Sequence, residues 1–281
     1  MTESMIIVTT LEELFYARRF LDDPVGLVPT MGYLHEGHIS LVKQARKECQ
    51  SVIATIFVNP TQFGPNEDLD KYPRNLERDL KMLDAEGVDI VWTPTSEVMY
   101  PAGYQTWVEV ENLTKPLEGS MRPGHFRGVT TVVSKLFNAT RPDKAYFGQK
   151  DAQQAAVIRQ MTQDLSYPIE IVICPILREG DGLAMSSRNS YLSPEERQSA
   201  TVLYRALSAA KTAFTDGEKN AEKLRQIVKE VVATEPQARL QYISCADFQT
   251  LAELEMVETR ALLSMAVFMG KTRLIDNFVL G

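Results

Sequence analysis

Over the first 176 residues, short apolar, β-branched runs alternate with stretches whose apolar positions recur every three to four residues. Residues 25–28 predict a short buried strand ended by Pro29, and Ser51-Val-Ile-Ala-Thr-Ile-Phe-Val58 a strongly β-branched one. Residues 88–92, 144–147 and 169–176 continue the series. Between them, Thr10-Leu-Glu-Glu13 spells a capping box ahead of Leu14, Phe15, Phe20 and Leu21. His38, Leu41, Val42 and Ala45 fall at i, i+3, i+4 and i+7, one face of a helix. Further helices are predicted through Leu76, Leu80 and Leu83 with Gly87 as the stop, through Val129, Val133 and Phe137, and from Asp151 to Leu165. Strand–helix alternation with near-continuous apolar strands predicts an α/β fold, a doubly wound parallel sheet covered on both faces. Such sheets bind ligands at the carboxyl ends of their strands, so chemistry is expected in the strand-to-helix turns.

From Leu177 the texture changes. Ser193-Pro-Glu-Glu196 is a capping box with proline in the first helical position, and it opens a long helix through Ala200, Leu203, Leu207 and Ala210 that is expected to end near Gly217. A second helix carries Leu224, Ile227, Val228 and Val231. Strands are predicted at residues 240–243, 261–268 and 273–279, the last two joined by the hairpin signal Met269-Gly-Lys-Thr272. The expected organisation is a Rossmann-like domain over residues 1–176 and a smaller α+β domain over residues 177–281.

The chain has 281 residues, 44% hydrophobic and 24% charged, the composition of a soluble globular protein. Its net charge of −7 argues against broad nucleic-acid binding, which needs a basic face to displace counterions. Cys49, Cys174 and Cys245 are odd in number and far apart, which reads as buried free thiols and not as a disulfide or zinc framework. Residues 1–10 lack the basic and apolar regions of a signal peptide, and no apolar run approaches the roughly 20 residues of a membrane span. A reducing, cytoplasmic location is expected, with no membrane partner.

The segment Pro29-Thr-Met-Gly-Tyr-Leu-His-Glu-Gly-His38 lies between a buried strand and an amphipathic helix. Gly32 and Gly37 permit close backbone approach, and a helix N-terminus offers free N–H groups and partial positive charge. His35 and His38, three apart, can both donate to a phosphate from the first helical turn. They resemble the HIGH signature of class I aminoacyl-tRNA synthetases and related nucleotidyltransferases. In Phe147-Gly-Gln-Lys-Asp151, Lys150 stands at a helix start, against the macrodipole, which a bound anion would compensate. Asp151 suits either a ribose hydroxyl or an N-cap, and Gln153 or Gln154 can point toward a ligand. Met185-Ser-Ser-Arg188 supplies two hydroxyls and a guanidinium, suited to a departing pyrophosphate or simply to a surface loop. Gln62 follows a buried strand as an uncharged donor and acceptor. Arg122-Pro-Gly-His-Phe-Arg127 reads as a solvated turn or a mobile lid, and Asp79 as an aid to a metal or simply a solvated helix charge.

Together with Phe57-Val-Asn-Pro-Thr-Gln-Phe63, Arg122-Pro-Gly-His-Phe-Arg-Gly128, Asp181-Gly-Leu-Ala-Met-Ser-Ser-Arg-Asn189 and Arg273-Leu-Ile-Asp-Asn277, these segments make the chain resemble the pantothenate synthetase family nearly end to end. The resemblance implies ATP-dependent joining of pantoate to β-alanine through an acyl-adenylate, with ATP as substrate and Mg²⁺ bridging its phosphates. By that likeness Met31, Gly32, Tyr33, Leu34, His35, Glu36, Gly37 and His38 line the ATP site, with His38 as proton donor. Gly148, Gln149, Lys150, Asp151, Leu177, Met185, Ser186, Ser187 and Arg188 match further nucleotide contacts. Gln62 and Gln154 match residues that hold pantoate, and no metal ligands are assigned. The likeness also suggests a homodimer. Tyr33 stands where alanine is common in the family and Gln149 where glutamate is common. The alternative reading is another HIGH-type adenylyltransferase, which would leave the nucleotide on its product.

Overall fold

In the computed structural model, which describes residues 5–65 and 67–281, the β-branched runs pair as parallel strands. The first four residues of the segment inspected for a leader lie outside the described residues. The first unit takes in the chain up to Gln149 and again Gln153–Pro175. In chain order it contains β1 (Ile6–Val8), α1 (Leu11–Arg18), β2 (Val25–Thr30), α2 (Glu36–Glu48), β3 (Ser51–Ile56), α3 (Leu76–Ala85) and β4 (Ile90–Trp92). It continues with α4 (Ser96–Met99), α5 (Glu118–Met121), α6 (His125–Thr140), β5 (Lys144–Gly148), α7 (Ala152–Asp164) and β6 (Glu170–Cys174). Among the described residues the sheet has six strands in the order β1-β4-β3-β2-β5-β6, all parallel. This is the expected doubly wound fold. Strand order reverses between β2 and β5, so the carboxyl ends of those two strands flank the switch point.

The reason the strands read as continuous apolar runs is visible in their alternation. Leu27, Ile53, Ile90 and Ala145 pack on one face with Leu14, Phe137 and Val157, whereas Val28, Ala54, Val91 and Tyr146 pack on the other with Val42 and Leu83. Both faces are covered, so neither set can be polar. The capping box at Thr10 forms as expected, its hydroxyl accepting from Glu13 N–H at 3.2 Å.

The second unit comprises Lys150–Ala152 and Ile176–Gly281. It contains α8 (Pro194–Ser199), α9 (Val202–Thr215), α10 (Ala221–Ala233), β7 (Ala238–Asp247), β8 (Ala261–Met269) and β9 (Thr272–Leu280). The one long helix expected after Ser193 is two, because Thr201 N–H and Leu203 N–H bond to the carbonyls three residues back, Gln198 and Ala200, tightening one turn. β7, β8 and β9 form an antiparallel sheet, and the β8–β9 hairpin closes through Gly270 at φ +56°. All three cysteines are free and buried, and burial pushes Cys174 and Cys245 up to about 11. Among the described residues no helix is long and apolar enough to cross a membrane.

Candidate active site

Beyond β2 the chain leaves the sheet through Gly32, φ +81°, and Tyr33, φ +50°. A Cβ on Gly32 would meet Ile56 at 3.0 Å and Asp79 Oδ2 at 3.2 Å, so glycine answers both the conformation and the close approach. Asp79 of α3 holds this turn: Oδ2 accepts Tyr33 N–H at 2.7 Å and Oδ1 accepts Leu34 N–H at 2.8 Å. The side chain expected to be solvated is 1% exposed. A carboxylate gripping two consecutive N–H groups is a strong, charge-assisted clamp on a residue in a disfavoured backbone region. The Tyr33 ring lies against Arg78, whose guanidinium carbon is 5.6 Å from its centroid.

The clamp delivers His35 to the start of α2. His35 Nδ1 accepts Gly37 N–H at 3.1 Å, and His38 Nδ1 accepts His35 N–H at 3.4 Å, a reciprocal capping box made of two imidazoles. Their ring centroids are 4.1 Å apart. A ring nitrogen that accepts an N–H carries no proton, so each neutral ring has its proton on Nε2. Two Nε2–H donors thus stand at a helix N-terminus, where fixed dipoles already favour an anion. Leu34 is buried, Glu36 is exposed, and Met31, Gly37 and both histidines are half-buried.

Gln62 is brought to the same turn. It closes the short 3-10 helix Pro60–Gln62 after β3 and is itself buried. Its Oε1 accepts from Asn59 Nδ2 at 3.1 Å, and its Nε2 lies 3.2 Å from Met31 Sδ, so the amide is oriented from both ends. Its main-chain carbonyl accepts the Nδ1–H of His125 at 2.8 Å. Arg122 Nη1 lies 3.1 Å from His125 Nε2, and because a guanidinium only donates, that nitrogen is bare. His125 therefore has the opposite tautomer to His35 and His38. Burial, reinforced by the Arg122 charge, pushes its pKa down to about 4. Glu67 in turn holds Arg122 at Nε and Nη2, at 2.6 and 2.7 Å; burial raises the Glu67 carboxyl, but the guanidinium outweighs it and holds it below the usual range. The stretch read as a solvated turn or lid is an exposed turn at Pro123 and Gly124 that leads into α6, where His125 and Phe126 are buried and Arg127 is exposed, over the Trp107 ring at 4.4 Å. Gly128 lets α6 touch this turn, since a Cβ there would fall 2.4 Å from the Thr61 carbonyl oxygen.

Of the two adjacent glutamines, Gln153 is committed to structure. Its Oε1 accepts Glu118 N–H at 2.9 Å, and its Nε2 donates to the carbonyls of Leu113 and Pro116 at 2.9 and 2.8 Å. Gln154 beside it is half-buried.

Of the remaining candidates Gly148 and Gln149 belong to the first unit and the others to the second. Gln149, Lys150 and Asp151 form a 3-10 turn after Gly148, and Lys150 Nζ is 4.0 Å from Asp151 Oδ2, a weak pairing. The Lys150 carbonyl accepts from Asn277 Nδ2 at 2.9 Å. Leu177 and Met185 face each other, Met185 N–H donating to the Leu177 carbonyl at 3.0 Å beside the bridge Arg178–Ala184. Ser186 caps the 3-10 turn Ser187–Tyr191, its hydroxyl accepting Arg188 N–H at 3.2 Å. Ser187 is buried and Arg188 half-buried.

Imidazole N–H, ammonium, guanidinium and hydroxyl groups suit phosphate oxygens. Among the described residues no three His, Cys, Asp or Glu side chains are grouped to hold a metal ion. That donor set fits a Mg²⁺ carried on nucleotide phosphates better than one held in a protein cage.

A family model described as pantoate-beta-alanine ligase matches residues 6–279. The pantothenate synthetase of Roseiflexus sp. (strain RS-1) is 60% identical over 98% of this chain and 99% of its own length. That of Acetivibrio thermocellus is 52% identical over 97% of both. The crystal structure of pantothenate synthetase from Thermus thermophilus superposes with a TM-score of 0.94 at 47% identity, covering 98% of this chain and 99% of that one. The Francisella tularensis pantoate-beta-alanine ligase, crystallised with beta-gamma ATP and beta-alanine, gives a TM-score of 0.82 at 38% identity over 98% of each chain.

Proposed function

This chain belongs to the pantoate-beta-alanine ligase family, and from that premise we propose that it joins pantoate to β-alanine through a pantoyl-adenylate, releasing pyrophosphate and then AMP. The enzyme is an AMP-forming ligase. The observation that carries the proposal is the reciprocal imidazole cap at His35 and His38, which fixes two Nε2–H donors at the head of α2. We read His35-Glu-Gly-His38 as the HIGH-type signature.

Pantoate's carboxylate is ionised at neutral pH and needs no general base. Its oxygen bonds to the α-phosphorus of ATP while the bond from that phosphorus to pyrophosphate breaks. The task of the protein is in-line placement and stabilisation of the charge that moves outward. His35 and His38 donate to phosphate oxygens, His38 being the proton donor. Lys150, Ser186, Ser187 and Arg188 stabilise the departing pyrophosphate. Main-chain and side-chain groups of Met31–His38, of Gly148, Gln149 and Asp151, and of Leu177 and Met185 hold the nucleotide. Gln62 and Gln154 hold pantoate. When bound, Mg²⁺ supplies charge neutralisation on the phosphates. In the second step the neutral amine of β-alanine attacks the acyl carbon; the C–N bond forms, the C–O bond to AMP breaks, and the amine releases a proton. The working form in this reading is a cytoplasmic homodimer.

The test is pyrophosphate and AMP release from ATP and Mg²⁺, with pantoate alone and then with β-alanine. Pyrophosphate stoichiometric with enzyme on pantoate alone, turning to steady AMP formation with β-alanine, is the expected result. A product that retains the nucleotide would instead make the protein an adenylyltransferase.

A further inference from the structure

The segment Arg273-Leu-Ile-Asp-Asn277 has no part in the chemistry above, yet its last two residues are buried polar groups set between the apolar pairs Leu274-Ile275 and Phe278-Val279. On the sheet, Asn277 of β9 stands opposite Ser264 of β8, which stands opposite Ser244 of β7, and all three are buried. A buried amide is tolerated where it is hydrogen-bonded. Asn277 Nδ2 donates at 2.9 Å to the main-chain carbonyl of Lys150, within the same unit.

The asparagine is itself held fast. Its N–H bonds to Asp276 Oδ1 at 2.7 Å, and Asp276 is gripped by both terminal nitrogens of Arg178 at 2.6 and 2.8 Å. The Arg178 guanidinium also donates to the Gly182 carbonyl at 3.0 Å and lies 5.0 and 4.9 Å from the Tyr204 and Phe278 ring centroids. Arg178 begins the short hairpin that ends in Met185 and leads into Ser186. Consecutive residues of one strand therefore tether two segments: Asn277 the Lys150 turn, and Asp276, through Arg178, the approach to Ser186.

We propose that Asn277 is a positioning residue for Lys150, fixing its main chain so that the ammonium meets the developing pyrophosphate charge. A lysine stem has four rotatable bonds, so its reach is set only when its Cα is fixed. The proposal rests on the role given to Lys150 above.

The experiment is a double-mutant cycle on the full chain with N277A, K150A and the combined variant, following single-turnover pyrophosphate release from ATP and pantoate. N277A should slow this step about 10- to 100-fold, the scale of an ångström-sized misplacement. In the K150A background it should add nothing further. A K150A enzyme slowed again by the same factor on adding N277A would overturn the proposal and leave Lys150 its role. A K150A enzyme at wild-type rate would remove that role and the proposal together. N277D, of nearly unchanged volume, serves where N277A melts below the assay temperature. Unfolding of both would overturn the proposal by making the amide a general support of the sheet.

Discussion

The Nδ1–H of His125 bonds to the main-chain carbonyl of Gln62 at 2.8 Å, and the same ring accepts from Arg122 on its other side. Protonating the ring would replace that acceptor with a second N–H facing a guanidinium. The folded chain accordingly resists the proton until about pH 4, whereas an unfolded histidine takes it up near pH 6.5. The unfolded state binds more protons inside that window, so stability is full above pH 6.5 and falls as the pH drops toward 4, by about 3 kcal/mol for this group. Urea midpoints of wild type and H125Q between pH 4.5 and 7 check this. Their difference should shrink on acidification; a constant difference would refute the assigned tautomer.

The Asp79 clamp can be tested without changing shape. In D79N one carboxylate oxygen becomes an NH₂ group facing a main-chain N–H, and the charge is lost. A loss of about 2–4 kcal/mol is expected from two weakened charge-assisted bonds, together with slower adenylation. Wild-type stability and a wild-type pyrophosphate burst would show that the carboxylate is dispensable.

Gly128→Ala should press α6 against the Thr61 carbonyl, a main-chain group that cannot rotate aside. A destabilisation of about 1–3 kcal/mol is expected from overpacking. Because the displaced turn carries Gln62, KM for pantoate should rise more than KM for ATP. Steady-state kinetics with each substrate varied separately gives the answer.

His38→Ala removes an Nε2–H donor and one half of the imidazole cap. If the donor acts mainly on transition-state charge, adenylation should slow about 100- to 1,000-fold, as for loss of an oxyanion donor. ATP binding measured by calorimetry should change little. An equal loss in rate and affinity would assign the ring to ground-state binding instead.

The parallel sheet was legible because both of its faces are buried, so β3 and β5 appear in the sequence as near-continuous apolar runs. β1 escaped notice because Ile6–Val8 is only three residues long, and it is half exposed as the sheet's edge. The histidine turn was legible because its glycines and both histidines lie within ten consecutive residues, Pro29 to His38. Asp79 and His125 were not, because each acts on a backbone far away in sequence: Asp79 Oδ2 on Tyr33 across 46 residues and His125 on Gln62 across 63. A helix pattern gives no sign that one of its acidic positions faces inward to a turn. The signal for His125 was present but ambiguous, since Pro123 and Gly124 beside it suggested a loop where the chain begins a helix.

The bond between Asn277 and Lys150 spans 127 residues. At about 5–20 residues per second, a ribosome makes the lysine some 6 to 25 s before its fastener. A nascent chain can therefore complete the parallel sheet and the histidine turn while Lys150 still lacks its tether. On the role proposed for Asn277, full-rate activation of a carboxylate is thus deferred until β9 has been made and has paired with β8.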